Sequence, residues 1–165
     1  MYHLEILHKP YSAEDLEAIR GINQANIPEV SHIESIDRLK QLINWSSHTI
    51  VVRDSEIAGF IILMREDQEY ESPNYDFFNN KNEPFLYVDR IAIQENHQRK
   101  GLGKLIYNKV IELGKELEVN ITCEVNTIPR NEPSLAFHAG FGFEAVGTKD
   151  YEDHSVVYLT KFLHS

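Results

Sequence analysis

The chain contains little cysteine, no long apolar run and no surplus of positive charge. Cys123 is its one cysteine among 165 residues, so no disulfide can form within the chain. That composition favours a reducing compartment, and we expect a cytoplasmic protein. No stretch approaches the roughly 18 uninterrupted apolar residues of a membrane-spanning helix. The residues from Met1 to Glu5 lack the basic segment and apolar run of a secretory signal, so we expect neither export nor a membrane partner.

The missing positive charge and the scattered histidines argue against two further classes of function. The formal net charge is −10, whereas a nucleic-acid-binding protein needs a basic surface. Eight histidines are present, but none stands in a His-Glu-x-x-His pattern or a comparable ligand spacing. We therefore predict no nucleic-acid partner and no metal site. An acidic protein attracts cationic ligands instead, and amines are one such class.

Hydrophobic patterning predicts alternating strands and helices in a single domain, residues 1–165. The apolar fraction of 42% is sufficient for one ordinary core. The predicted strands cover residues 2–6, 49–53, 57–64, 85–93, 119–125, 143–148 and 155–162. The predicted helices begin at Ser12 and lie around 36–43, 102–117 and 133–139, the third with Leu117 on its apolar face. This order of elements favours an α/β fold with a mixed sheet.

The segment 65–84 between two predicted strands is polar, acidic and aromatic. It carries Pro73 and Pro84, and we expect a short helix near Asp76 to Phe78. Loops of this length in compact domains are usually functional or mobile. The segment is therefore a candidate for ligand contacts, or for an aromatic anchor that only holds the loop.

The most informative segment is 91–104, where a strand, a short polar turn and a glycine-containing loop lead into a long helix. The N–H groups of a first helical turn have no intrahelical partners, and the helix dipole adds positive charge there. Gly101 and Gly103 let a phosphate approach the main chain, and Arg99, Lys100 and Lys104 add cationic charge beside it. The segment therefore predicts a phosphate-binding loop. An ordinary helix start with solvated basic residues would show the same sequence pattern.

Two common phosphate loops do not fit this segment. A P-loop requires serine or threonine after Gly103-Lys104, where the chain has Leu105. A dinucleotide-binding fingerprint requires glycine or alanine at the position of Ile106. These residues alone are also compatible with a protein that binds some other phosphate-containing ligand.

The pattern Gln98-x-x-Gly101-x-Gly103 resembles the pyrophosphate signature of the GNAT superfamily of N-acetyltransferases. The resemblance continues through Glu124, Asn131, Phe137-His138 and Gly142-Phe143. The spacing from Asn131 to His138 is the family's, and two residues are added around Ile128-Pro129. The whole chain is similar to a subgroup known only as predicted acetyltransferases, which assigns the chemistry but no acceptor.

This resemblance implies the GNAT fold, with a central and mostly antiparallel sheet that splays at the site of acetyl-CoA. In that family the strand before the loop pairs with the pantetheine amides, and the first turn of the following helix holds the pyrophosphate. The matching cofactor-binding residues here are Ile91, Ala92, Ile93, Gln98, Arg99, Lys100, Gly101, Leu102, Gly103, Lys104, Asn131 and Phe137. For the apolar residues of this set, core burial is an equally good explanation.

The resemblance also implies direct acetyl transfer to an amine, which needs a general base and a proton donor for the thiolate. Glu124 matches the family's base, or is an ion-paired strand residue. His138 replaces the usual tyrosine acid, or is a packing residue. Asp89 is a second candidate for the base because it shares strand parity with Ile91 and Ile93, or it is one half of an ion pair.

Family members receive their acceptor between the N-terminal helices and nearby loops. The matching candidates for substrate binding are Asn26, Tyr70, Asn74 and Tyr75. The acceptor implied is a small-molecule amine or a peptide amino terminus. A non-catalytic module that binds CoA or acyl-CoA is the alternative, because the tyrosine is missing. The sequence leaves open the acceptor, the acyl length, and whether the protein is a monomer or a homodimer.

Overall fold

Seven strands and five α-helices lie along residues 1–164, the part of the chain that the computed structural model describes. The strands are β1 (His3–Ile6), β2 (His48–Arg53), β3 (Ile57–Met64), β4 (Phe85–Ile93), β5 (Asn120–Ile128), β6 (Glu144–Asp150) and β7 (Ser155–Lys161). The helices are α1 (Ala13–Ala25), α2 (Ile36–Trp45), α3 (Pro73–Asn79), α4 (Leu102–Leu117) and α5 (Glu132–Gly140), and a short 3-10 helix spans Glu95–His97. None of these helices is long and apolar enough to cross a membrane.

The helix starts follow from side chains that cap free backbone N–H groups. Ser12 accepts a hydrogen bond from the Asp15 N–H at 3.0 Å, as the sequence predicts, and Ser72 starts α3 in the same way. The predictions miss two details. β5 runs on from Val125 to Ile128, and Leu117 at the end of α4 is exposed. The buried face of α4 instead includes Tyr107 and Gly114.

All seven strands form one sheet in the order β1-β2-β3-β4-β5-β7-β6. Every neighbouring pair is antiparallel except β4 and β5, which are parallel. The sheet is therefore mixed and mostly antiparallel, as expected.

β4 and β5 separate after a short stretch of pairing. They are in register at Phe85–Asn120, Leu86–Ile121 and Tyr87–Thr122 only, although β4 continues to Ile93 and β5 to Ile128. Beyond Tyr87 and Thr122 the two strands form a fork, and this fork is the splay that the resemblance implies. Peptide groups along an unpaired strand edge remain available to an extended ligand.

A hydrophobic core lies on each face of the sheet. Helices α1, α2 and α3 cover one face, where Phe60, Ile62 and Tyr87 are buried. Helix α4 covers the other face, where Ile61, Leu86 and Val88 are buried. Neighbouring residues of one strand thus alternate between the two cores.

A β-bulge at Asp89 interrupts that alternation. Ile62 of β3 pairs with Arg90 and the next residue, Leu63, pairs with Val88, so Asp89 is the extra residue of β4. The predicted parity of Asp89 with Ile91 and Ile93 is therefore wrong. Those two isoleucines pack towards α4, whereas Asp89 is hydrogen-bonded to Tyr70 in the opposite core.

Candidate active site

A cavity of about 1090 Å³ connects the start of α4 with the fork and with the loops on its far side. One end is lined by the loop before α4, the middle by β4, β5 and α5, and the far end by residues 26–31, the start of α3 and the turn 153–154. Its volume suits a ligand of cofactor size. A single space thus joins a helix start suited to phosphate with the candidate catalytic residues.

The loop before α4 turns its main chain through two left-handed residues. Arg99 has a φ of 63° and Gly101, the residue preceding α4, a φ of 78°. Glycine adopts this conformation without strain, and it has no side chain to cap the N–H groups of the first turn. Gln98, Arg99, Gly101, Leu102, Gly103 and Lys104 all line the cavity. Lys100, whose side chain is exposed, does not line it.

Gly103 faces the crevice between α4 and α5. A Cβ atom placed there would lie 3.5 Å from Cε1 and Cζ of Phe137, in ordinary contact. A larger side chain would therefore fill the crevice that leads from the helix start into the fork. Phe137 lines the same crevice, and Asn131 begins α5 by accepting a hydrogen bond from the Ser134 N–H at 3.3 Å.

The end of β4 is held by two amide side chains. Ile91, Ala92 and Ile93 all line the cavity, and the carbonyl oxygen of Ile93 accepts hydrogen bonds from Gln98 Nε2 at 3.3 Å and Asn26 Nδ2 at 3.2 Å. Asn26 also donates to the Ile22 carbonyl at the end of α1. Gln98 and Asn26 thus tie the loop before α4 and the end of α1 to the open arm of the fork.

Glu124 lies on β5, two residues beyond its last pairing with β4, and lines the cavity. The Tyr87 hydroxyl donates to its Oε1 at 2.5 Å. Burial raises the pKa of Glu124 to about 8, and nearby Asp89 adds to the rise, while the Tyr87 hydrogen bond and Arg90 oppose it. A carboxyl group with such a pKa releases and takes up protons near neutral pH, as a general base must.

Asp89 forms the ion pair that the sequence left as an alternative. Its Oδ2 accepts from Arg90 Nε at 2.7 Å and its Oδ1 from the Tyr70 hydroxyl at 2.7 Å. Both side chains of the ion pair are buried. Arg90 also donates to the carbonyl and hydroxyl oxygens of Ser31 and to Asn23. Asp89 thus anchors Arg90 and, through it, the loop after α1.

His138 is buried at the cavity wall with both ring nitrogens engaged. Nδ1 lies 2.7 Å from the Ser134 carbonyl oxygen and Nε2 lies 2.6 Å from the Tyr107 hydroxyl. Burial lowers the pKa of His138, which favours its neutral form. The ring also packs edge-on against Phe137 and Phe143. Both expectations for His138 stay open, because it packs in the core and still reaches the cavity.

Three of the four predicted acceptor residues line the far end of the cavity, namely Asn26, Tyr70 and Asn74. The Oδ1 of Asn74 accepts from the hydroxyls of Tyr151 and Tyr158, which joins α3 to the turn after β6 and to β7. The fourth residue, Tyr75, lies outside the cavity. It is fully buried and donates to the Arg65 carbonyl, because the first turn of α3 points it into the core.

Two tyrosines of the site were missed from the sequence. Tyr87 lies at the base of the fork and Tyr107 on the cavity side of α4. The spacing of Tyr107, four residues after Gly103 and three before Val110, fits the buried face of α4 and would have placed it beneath the phosphate loop. Tyr87 has no comparable signal, since its contact with Glu124 depends on the pairing of β4 with β5.

The side chains that most often bind metal ions do not cluster within the described residues. Among residues 1–164 no group of three or more His, Cys, Asp or Glu side chains is placed to hold a metal ion. Cys123 is buried in the fork, and burial raises the pKa of its thiol, so it is a poor nucleophile.

Comparison with known proteins identifies the fold and the family of this chain. Three solved structures are similar over 99% of this chain and 99% of their own: the NatC complex bound to Gag peptide and CoA (TM-score 0.76, 16% identity), Ard1 from Thermoplasma volcanium (0.75, 15%) and Arabidopsis thaliana NAA60 in complex with acetyl-CoA (0.74, 15%). Residues 16–143 match the acetyltransferase (GNAT) family. The match covers most of the chain and includes the loop before α4 and the fork, so this protein belongs to the GNAT family of acetyltransferases.

Proposed function

We propose that this protein transfers an acetyl group from acetyl-CoA directly to an amine, which is either a small molecule or a peptide amino terminus. The observation that carries the proposal is the cavity itself. It runs from the first turn of α4, through the fork, to the Glu124 carboxyl group. A phosphate-binding helix start and a base with a pKa of about 8 therefore serve one ligand space.

The residues that would hold CoA divide into two groups. Main-chain N–H groups from Gly101 to Lys104 receive the pyrophosphate, and the side chains of Arg99 and Lys104 add positive charge. The edges of β4 and β5 beyond the fork receive the pantetheine amides as an added strand would. Phe137 and Asn131 close the side of the crevice formed by α5.

Glu124 is the proposed general base. Its Oε1 is held by Tyr87, which leaves Oε2 to take the proton from the attacking amine. The nitrogen forms a bond to the thioester carbonyl carbon, and the carbon–sulfur bond then breaks. Asp89 is the weaker candidate, because both of its oxygens are already bonded to buried partners. The departing thiolate must also receive a proton, and His138, the donor predicted from the sequence, lines this cavity.

The acceptor is proposed to enter at the end lined by Asn26, Tyr70 and Asn74. This end is bounded by three separate chain segments, residues 26–31, the start of α3 and the turn 153–154. The structure of the NatC complex, similar in fold, was solved with a peptide and CoA, which supports testing peptide amino termini beside small amines.

The test is a thiol-release assay with acetyl-CoA and a panel of amines. The panel includes small amines, peptides with a free amino terminus, and the same peptides with a blocked terminus as matched controls. We expect thiol release and an acetylated product, identified by mass spectrometry, for at least one free amine and none for its blocked form. Tight CoA binding in calorimetry without turnover across the whole panel would contradict the proposal.

A non-catalytic CoA-binding module is the second candidate. Its supporting observation is that His138, at the family's tyrosine position, already has both nitrogens engaged. This candidate predicts CoA binding that is indifferent to Glu124→Gln and no product with any amine. A thermal shift with ATP or NAD but none with CoA would instead favour a phosphate-ligand binder of another kind.

A further inference from the structure

The Tyr107 hydroxyl and the His138 imidazole form a buried pair at the cavity wall. Tyr107 is 1% exposed, and its oxygen lies 2.6 Å from His138 Nε2. The two residues come from different helices, α4 and α5, and both line the cavity. The geometry of this pair determines which of the two can deliver a proton to a ligand.

The position of the hydrogen on His138 follows from its partners. Nδ1 faces the Ser134 carbonyl oxygen at 2.7 Å, and a carbonyl oxygen only accepts. Nδ1 therefore carries the hydrogen of the neutral ring, which leaves Nε2 as an acceptor. The Tyr107 O–H then donates to Nε2. Within this pair, the hydroxyl of Tyr107 holds the exchangeable proton at the cavity, and the cavity-side nitrogen of His138 has none to give.

Tyr107 also lies where a thioester in the fork would end. It is one helical turn beyond Gly103, about 6 Å further along α4. Val88 and Cys123, the first residues after the pairing of β4 with β5 stops, line the cavity beside it. An extended arm that starts at the phosphate loop and follows the open edge of β4 reaches its sulfur in this region.

Given the proposed acetyl transfer, on which this inference rests, we infer that the Tyr107 hydroxyl protonates the departing CoA thiolate and that His138 is the residue that positions it. The family's tyrosine function is thereby supplied from α4 instead of α5. The carbon–sulfur bond breaks, the Tyr107 O–H rotates from His138 Nε2 towards the sulfur, and the thiolate takes its hydrogen. The tyrosinate recovers a proton from the Glu124 carboxyl group, which holds the one removed from the amine, through water in the cavity. The sum is amide plus thiol, with both side chains restored.

The surroundings support this direction of transfer. Cys123 places a protein thiol in the same region, and burial raises the pKa of that thiol well above its usual value. Burial would likewise make a CoA thiolate released in this region a stronger base than it is in water. Burial also raises the pKa of Tyr107, so the phenol stays protonated until such a base forms.

The experiment compares Tyr107→Phe with His138→Gln, whose side-chain oxygen can still accept from the Tyr107 hydroxyl. If Tyr107 is the acid, Tyr107→Phe lowers kcat about a hundredfold with CoA affinity kept, whereas His138→Gln lowers it about tenfold or less. The double variant falls no further than Tyr107→Phe alone. Tyr11→Phe, outside the cavity lining, is the matched control for the loss of a tyrosine hydroxyl.

The opposite ranking would overturn the inference: a large loss in His138→Gln with near-normal kcat in Tyr107→Phe makes His138 the donor. If Tyr107→Phe does not fold, Tyr107→3-fluorotyrosine keeps the hydroxyl and lowers its pKa. A stronger acid should release the thiolate faster and raise kcat, and a kcat no higher than that of the wild type contradicts the inference. A wild-type protein without turnover on any amine overturns the proposed function itself, which separates the two failures.

Discussion

The Tyr87 hydroxyl donates to Glu124 Oε1 at 2.5 Å, across the point where β4 and β5 part. The two residues come from neighbouring strands, so this contact closes the base of the fork and also changes the pKa of the proposed base. The hydrogen bond stabilises the carboxylate and lowers the pKa of Glu124, in opposition to burial. The Tyr87 hydroxyl thus contributes both to the packing at the base of the fork and to the pKa of Glu124.

Glu124→Gln should slow acetyl transfer without weakening CoA binding. The amide keeps the shape of the side chain and still accepts from Tyr87, but it cannot take a proton. We expect kcat to fall about 10²- to 10⁴-fold, the usual contribution of a general base. The rate of thiol release at saturating substrate gives kcat, and calorimetry gives the CoA affinity. If CoA affinity falls as much as kcat, Glu124 has a structural role instead.

The rate should rise with pH through about 8. The pKa of Glu124 is raised to about 8, and the carboxylate is the active form, so activity is lost as the pH falls through that value. An acceptor amine with a much lower pKa isolates this limb, because it stays neutral throughout. The profile of kcat between pH 6 and pH 9.5 is the measurement. A flat profile would mean that Glu124 is not the base.

Tyr87→Phe should move the same limb to higher pH. Removal of the hydroxyl takes away the hydrogen bond that lowers the pKa of Glu124, so the carboxylate forms later in the titration. At pH 7 the variant should therefore be slower than wild type, and at the alkaline plateau the two should converge. Tyr11→Phe again serves as the control, and a limb shifted towards acid would refute this account of Glu124.

Gly103→Val should weaken CoA binding by tenfold or more, about 1.4 kcal/mol at the least. The new side chain would extend into the crevice between α4 and Phe137, which a Cβ atom already contacts at 3.5 Å. Gly21→Val is the matched control. Gly21 also lies in a helix, α1, but faces open space, so it reports the cost of valine in a helix alone. Equal CoA affinity in both variants would argue against binding at this helix start.

Asp89→Asn should destabilise the fold through Arg90. The guanidinium is buried, and loss of its carboxylate partner leaves a charge without compensation, at a cost of about 3–5 kcal/mol. Urea unfolding measures this loss. Asp54→Asn is the control, because its ion pair with the amino group of Met1 is exposed and should contribute about 1 kcal/mol or less. Similar urea midpoints of unfolding for the two variants would show that the Asp89–Arg90 pair contributes little to the stability of the fold.

Much of this fold could be predicted from the sequence because its elements have local causes. The start of α1 follows from Ser12, and β3 follows from a continuous apolar run, Ile57 to Met64. The resemblance also implied the position of the fork and the phosphate loop. These features depend on residues that are close in the chain or fixed by a motif.

The misses depend on contacts between distant parts of the chain. The bulge at Asp89 is set by the register of β3 against β4, which no alternation within β4 reveals. The contact of Tyr107 with His138 joins residues 31 positions apart, through the packing of α4 against α5. Tyr75 was predicted to contact the substrate because the path of segment 65–84 was unknown. A tyrosine in such a segment suits a substrate pocket and a hydrophobic core equally well, so composition alone does not separate the two.

The short pairing between β4 and β5 means that hydrogen bonds join the two halves of the sheet at only three residue pairs. A CoA arm lying in the fork would supply the missing hydrogen bonds and make the hydrogen-bonded sheet continuous from β1 to β6. The bound cofactor would then join β4 to β5 beyond their short pairing. Amide hydrogens along residues 88–93 and 123–128 should exchange more slowly once CoA is added, while those of the β2–β3 hairpin keep their rates.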